Sequence, residues 1–187
     1  MKKIFALLAV VLAVVSCQKE INGLPVDSNN EAAVSLSVAL PDDATRAAGA
    51  DSALGGVSNV STSDYDIRFI LEVYNAAGEL VKDRMVESGN DPHATFNFRL
   101  IPGRNYKFVV WADFVANGSQ DDLHYDTKVE DANGNSRGLR AVAIKDWTAI
   151  DESRDAYTAV VDVESYSGST HIPNIVLTNS STGLFTC

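Results

Sequence analysis

Cys17 is the residue whose chemistry the sequence states most directly. Its thiol closes the apolar run Ile4 to Val15, which Lys2 and Lys3 precede. A thiolate is a strong nucleophile on which a thioether can be built. The run is shorter than the ~20 apolar residues that cross a bilayer and has the charge and length of a leader that is removed. Elsewhere the reactive residue types are scattered. His93, His124 and His171 share no spacing that sets two of them on one face, and no serine or cysteine sits in a nucleophile motif. No catalytic residue is expected, and the chain does not read as an enzyme. Asp131, Asn133 and Asn135 alternate as the oxygen ligands of a calcium loop do. The glycine such a loop needs next is Ser136, however, and its closing glutamate is Val142. These residues read as a polar turn, with Asp121, Asp122 and Asp126 the only acids a loose divalent site would draw on. Neither metal nor cofactor is expected. Trp111 and Trp147 offer flat faces on which a sugar ring can stack, although burial within the fold is the commoner fate of tryptophan.

Composition bounds what surrounds these residues. At 187 residues, with 45% hydrophobic and 21% charged, the chain can bury one ordinary core. Its formal charge of −10 becomes −12 when Lys2 and Lys3 leave with the leader, a surface that repels nucleic acid and anionic lipid. If Cys17 is modified, Cys187 is the only other cysteine, so no disulfide framework is expected and the apolar core must hold the fold.

The elements follow from periodicity. Residues 1–16 read as the leader and 17–31 as a tether, because Asn22, Gly23, Pro25, Asp27, Ser28, Asn29 and Asn30 carry turn formers without apolar period. The domain is expected over 32–187. Val34, Leu36, Val38 and Leu40 alternate with small residues as a first strand with one buried face, which Pro41 stops. Pro41 to Ser63 is rich in Ala, Gly, Asp and Ser and reads as a long exposed loop. Tyr65 to Tyr74 alternates, with Ile67, Phe69, Leu71 and Val73 inward and Arg68, Glu72 and Tyr74 outward, and is expected to pair with a polar edge strand from Leu80 to Val86. Phe96, Phe98 and Leu100, then Tyr106, Phe108 and Val110, flank Pro102-Gly103 and predict a central β-hairpin. Asn117 to Arg137 is an acidic excursion with at most a short strand. Tyr157 to Val163 and Ile172 to Thr178 supply further strands. About seven short strands without a helical period predict an all-β fold, a single antiparallel β-sandwich.

Several stretches carry resemblances. Val14-Val15-Ser16-Cys17 resembles the bacterial lipobox, which implies that Cys17 becomes a lipidated N-terminus held in the outer membrane by several acyl chains. Gln18, Lys19 and Glu20 resemble the export signals of Bacteroidota surface lipoproteins, with one acid where the pattern has two or more, and imply display at the cell surface. Asp51-Ser52-Ala53 resembles the O-glycosylation sequon of the same group, which makes Ser52 the candidate glycosylation residue. Together with PDDATRAA at 41–48, FRLIPGRNYKFVVWADF at 98–114 and HIPNIVLTN at 171–179, the lipobox resembles the N-terminal part of Bacteroidales fimbrillin-like lipoproteins, the major and minor fimbrial subunits. That resemblance implies a transthyretin-like or immunoglobulin-like sandwich. It also implies an arginine-specific protease cutting between Arg46 and Ala47, loss of the strand bearing Val34, Leu36, Val38 and Leu40, and replacement of that strand by one from another fimbrial subunit. Family members continue into a second sandwich domain where this chain ends in NSSTGLFTC, so the family's C-terminal domain is expected to be missing. The function expected is a surface-anchored structural or anchor subunit of fimbriae, acting in adhesion. The alternative is a glycan-binding outer-membrane lipoprotein.

Overall fold

Alternation becomes strand wherever every second side chain can reach one apolar layer. The computed structural model describes residues 30–41, 60–145, 148, 151–168, 172 and 174–179. Among them the strands are β1 (Ala32–Ala39), β2 (Tyr65–Asn75), β3 (Met85–Gly89), β4 (His93–Leu100), β5 (Tyr106–Ala116), β6 (Tyr125–Asp126), β7 (Ala143–Ile144), β8 (Ala156–Val163), β9 (Ile175–Val176) and β10 (Thr178–Asn179). They form a three-stranded sheet in the order β4-β1-β9, a five-stranded sheet in the order β10-β8-β5-β2-β3, and the small β6-β7 pair. Leu36, Val38 and Phe96 from the first sheet share one buried cluster with Phe69, Leu71, Phe108 and Val110 from the second. The fold is an all-β sandwich, as the periodicity predicts. All its named strand pairs are antiparallel except β1 with β9, which is parallel.

The central hairpin predicted around Pro102-Gly103 does not form. β4 pairs with β1 and β5 pairs with β2 and β8, so the Pro-Gly turn carries the chain from one sheet to the other. Both apolar runs point into the same core from opposite sides, and the rings of Phe98 and Phe108 meet edge to face at 6.0 Å. Gly103 takes φ +78°, which a side chain would resist. Its N–H donates to the Tyr166 carbonyl at 2.7 Å, and the Tyr166 N–H donates to the Arg104 carbonyl at 2.9 Å. Tyr106 locks the crossing from within: its hydroxyl donates to the Ile101 carbonyl at 3.0 Å and accepts from the Ile101 N–H at 3.1 Å. Such a phenol-to-backbone bridge fixes how a chain turns between sheets.

Two other strands differ from expectation for visible reasons. The predicted return strand from Leu80 keeps only an isolated bridge between Tyr74 and Leu80, and the regular ladder begins at Met85. Between them Lys82 and Arg84 turn away to pair with Glu31 and Glu72. Ile172 to Thr178 divides in two: β9 adds to β1, β10 adds to β8, and buried Leu177 marks the passage between sheets.

Tyr106→Phe removes both bonds to Ile101 while keeping the ring. It is expected to lower unfolding stability by about 1–3 kcal/mol, the cost of stranding partly buried backbone groups, read as a fall in the urea midpoint at unchanged slope.

Candidate functional site

The first described strand is also the most deeply seated in the three-stranded sheet. Ala32, Val34, Leu36, Val38 and Leu40 are buried in the main core. On one side β1 runs eight antiparallel pairs with β4, from Ala32 opposite Leu100 to Ala39 opposite His93. On the other it meets β9 only at Val38 opposite Ile175 and Ala39 opposite Val176. Among the described residues β4 and β9 each pair with β1 and not with each other, so the three-stranded sheet is continuous only through β1. The Leu40 N–H donates to the Pro92 carbonyl at 3.0 Å, and the Ala39 carbonyl accepts from the Leu177 N–H at 3.0 Å. Beside this strand a groove of about 420 Å³ separates β8 from β9, lined by Ala159, Val161, Ile172 and Ile175. Exposed Val160 and Val176 also face it.

The opposite face of the five-stranded sheet carries a layer of charge. Arg68, Glu72 and Tyr74 point outward as the alternation predicts, and are buried there because the excursion folds back over them. Arg68 donates from Nε to Asp113 Oδ1 at 2.9 Å and from Nη2 to Asp113 Oδ2 at 2.6 Å. Its Nη1 reaches Asp122 and the Gln120 carbonyl, each at 2.8 Å. Asp122 accepts from the Thr127 N–H and hydroxyl, both at 2.9 Å, and Arg84 donates to the Thr127 carbonyl at 2.6 Å. Arg84 also donates to Glu72 at 2.8 Å. Glu72 accepts a further hydrogen bond from the Leu139 N–H at 2.7 Å and another from the Tyr74 hydroxyl. Gly138 lies so close that a Cβ there would fall 2.5 Å from Glu72 Oε2, and its φ is +58°. Only glycine fits that position.

Electrostatics follow from burial and partners. Burial pushes the Asp113 carboxyl up against the pull of Arg68. Burial also acts to raise Asp122, but the Thr127 N–H and the Arg68 guanidinium outweigh it and hold that carboxyl below its ordinary 3.8. Burial and the Glu72 carboxylate push the Tyr74 phenol up to about 12. The Arg140 guanidinium stacks 4.5 Å over the Tyr74 ring. A second buried cluster, with Ile70, Val109, Trp111, Tyr125 and Leu139, fills the space between the charges and the excursion.

The other residues singled out in the sequence are dispersed. Trp111 is buried and meets Tyr125 edge to face at 5.1 Å, so it is no stacking platform for sugar. Its indole N–H leans on the Asp113 carboxyl without reaching full hydrogen-bond geometry. Asp131 accepts from the Asn133 and Asn135 N–H groups at 2.8 and 3.0 Å, as a polar turn does. Among the described residues no group of three His, Cys, Asp or Glu is placed to hold a metal. Asp126 caps the Lys128 N–H, and Asp122 belongs to Arg68. His93 is exposed beside Asp91. His124 Nε2 lies 3.2 Å from Ser153 Oγ, which donates to Asp151 at 2.5 Å. The serine stands between acid and imidazole, with its hydroxyl hydrogen directed at the carboxylate and not at the imidazole. Cys17, Arg46, Ala47, Ser52, Trp147 and His171 lie outside the described residues. Val34, Leu36, Val38 and Leu40 come together as expected, on one face of β1 and its end.

A family model spans residues 26–179, which includes every described strand. The chain belongs to the DUF6562 family. That family is described as one of unknown function, and the DUF6562 match begins six residues before β1, so the first strand is part of what defines it. No curated protein and no solved structure matches this DUF6562 chain.

Because Asp122 is held down in the folded state, its contribution to stability is full above its ordinary 3.8 and is lost as pH falls through its lowered value. Asp113, raised by burial, acts in the opposite sense. Asp122→Asn is therefore expected to lower stability at neutral pH and to flatten the acid limb of a stability-against-pH curve. An unchanged acid limb contradicts this assignment.

Proposed function

We propose that this DUF6562 protein is a lipid-anchored surface subunit of a fimbria-like assembly, held to the outer membrane through Cys17 and joined to neighbouring subunits by exchange of its first strand. The observation that carries the proposal is the position of β1, which among the described residues is the one strand joining β4 to β9. Taking it away leaves a slot with an eight-residue row of backbone groups on β4 and an apolar floor. A strand from a second subunit can fill that slot with the same pairing, which is recognition by strand addition.

Magnitudes say how such an exchange must run. Val34, Leu36, Val38 and Leu40 are each at most 3% exposed, and a fully buried side chain of this kind contributes about 1.5–3 kcal/mol. Four of them bring roughly 6–12 kcal/mol, as much as the whole net stability of an ordinary domain. A cut after Arg46 therefore does not by itself expel β1. The strand stays seated until another of similar apolar content displaces it, so the protease licenses exchange and the incoming strand drives it.

Two experiments test the proposal. Limited digestion of the full-length protein with an arginine-specific protease is expected to give a first product beginning at Ala47; a first cut elsewhere, with Arg46 intact until the domain unfolds, overturns the exchange. Cys17→Ser is expected to abolish palmitate labelling in cells and to release the protein from the membrane fraction, whereas retained label would rule out the anchor.

A further inference from the structure

The residue just before β1 is gripped from two directions. Glu31 offers its side chain to Lys82, whose Nζ lies 2.9 Å from Glu31 Oε1, and its backbone carbonyl to Arg99, whose Nη2 donates at 2.7 Å. Lys82 belongs to the connection between β2 and β3 in the five-stranded sheet, and Arg99 to β4 in the three-stranded one. The Glu31 side chain is 23% exposed and that of Lys82 is 28%, so water screens the pair only in part. A little further in, the Tyr166 hydroxyl reaches the Ala33 carbonyl at 3.4 Å, and Gly168 packs close to Pro102 and Ala32.

We propose that Glu31, held by Lys82 and Arg99, is a latch that ties the entry of β1 to both sheets and controls how readily the strand leaves the sandwich. Its place in subunit exchange rests on the function proposed above, but the latch itself acts in the intact chain. The interruption of the β2–β3 ladder has a purpose in this light: if Leu80 to Met85 continued as regular strand, Lys82 would have no reason to depart toward the other sheet. Any pull arriving along the tether meets residue 31 first, and the two contacts divide it between the sheets instead of concentrating it on the β1–β4 ladder. β2 and β5 share an eleven-pair ladder and each has a second one, of five pairs to β3 and eight pairs to β8, whereas β1 has one full ladder and a two-residue one. Contacts at its entry thus weigh more on β1 than equivalent contacts would elsewhere.

Hydrogen exchange followed by mass spectrometry on the intact chain tests this without any protease. Lys82→Met keeps the apolar stem and removes the charge; it is expected to speed exchange in peptides covering residues 31–38 about two- to fivefold, the effect of losing one partly exposed ion pair. Peptides from β2 and β5 should be unchanged. Sodium chloride should accelerate the same β1 peptides in the wild type and leave Lys82→Met unaffected, a response that packing alone does not give. Glu31→Gln should accelerate the same peptides, and the double variant should be no faster than Glu31→Gln alone, since the pair with Lys82 is already lost. Equal acceleration throughout the domain, or salt-independent exchange in β1, overturns the latch. Resistance of Arg46 to proteolysis would sink the exchange function while leaving these results intact, so the two failures are distinguishable.

Discussion

Everything in the three-stranded sheet depends on the eight backbone pairs between β1 and β4 and on the side chains β1 sends beneath them. An isolated β4 presents alternate apolar residues and an unpaired edge, and two-residue β9 is too short to cover it. With β1 inserted, Leu36, Val38 and Leu40 complete the core opposite Phe69, Leu71 and Phe108, and both sheets can close. The first described strand, β1, is thus one whose absence the sheet can ill tolerate. That is the physical basis for treating it as the element a partner would supply.

The sandwich is unequal in how its two sides are held. On the outer face of the five-stranded sheet, Arg68, Arg84, Glu72, Asp113 and Asp122 bind the excursion through its backbone as well as its side chains. Removing one member of such a layer leaves a buried charge uncompensated, at a cost of about 3–5 kcal/mol. This directional bonding fixes one position of the excursion and covers Trp111 and Tyr125. Beyond the contacts at Glu31, the β1 side relies on a backbone ladder and apolar contact, both of which a well-matched strand can reproduce. Specific chemistry therefore dominates on the excursion side, and generic chemistry on the β1 side.

Period-two alternation made most of the strands legible. Val34 to Leu40 and Tyr65 to Tyr74 each present one apolar face, and both are strands with that face buried. Pro102-Gly103 misled because the same turn residues serve a hairpin or a crossing between sheets. What separates them is the bond from Tyr106 to Ile101 and the facing of Phe98 against Phe108, which local sequence does not encode. The burial of Arg68 and Glu72 was not legible for a related reason. Alternation places them on the outer face correctly, but only tertiary structure reveals that a polar excursion covers that face. A charged residue in a strand otherwise rich in Ile, Phe and Leu, followed by an acidic segment with bulky residues such as Tyr125 and Leu139, was the available signal. Glu31 and Lys82 gave none, since 51 positions separate them and each alone reads as a solvated charge.

Strand replacement is the most direct test of the central claim. The full-length chain, cut by an arginine-specific protease, is mixed with excess isotopically labelled peptide spanning residues 30–41 and weighed intact under native conditions. The account predicts that the labelled peptide takes the place of the domain's own N-terminal piece, one per domain, and that a Leu36→Asp peptide does not. A cut chain that keeps its own strand until the domain unfolds, or that binds the peptide without giving that strand up, contradicts it.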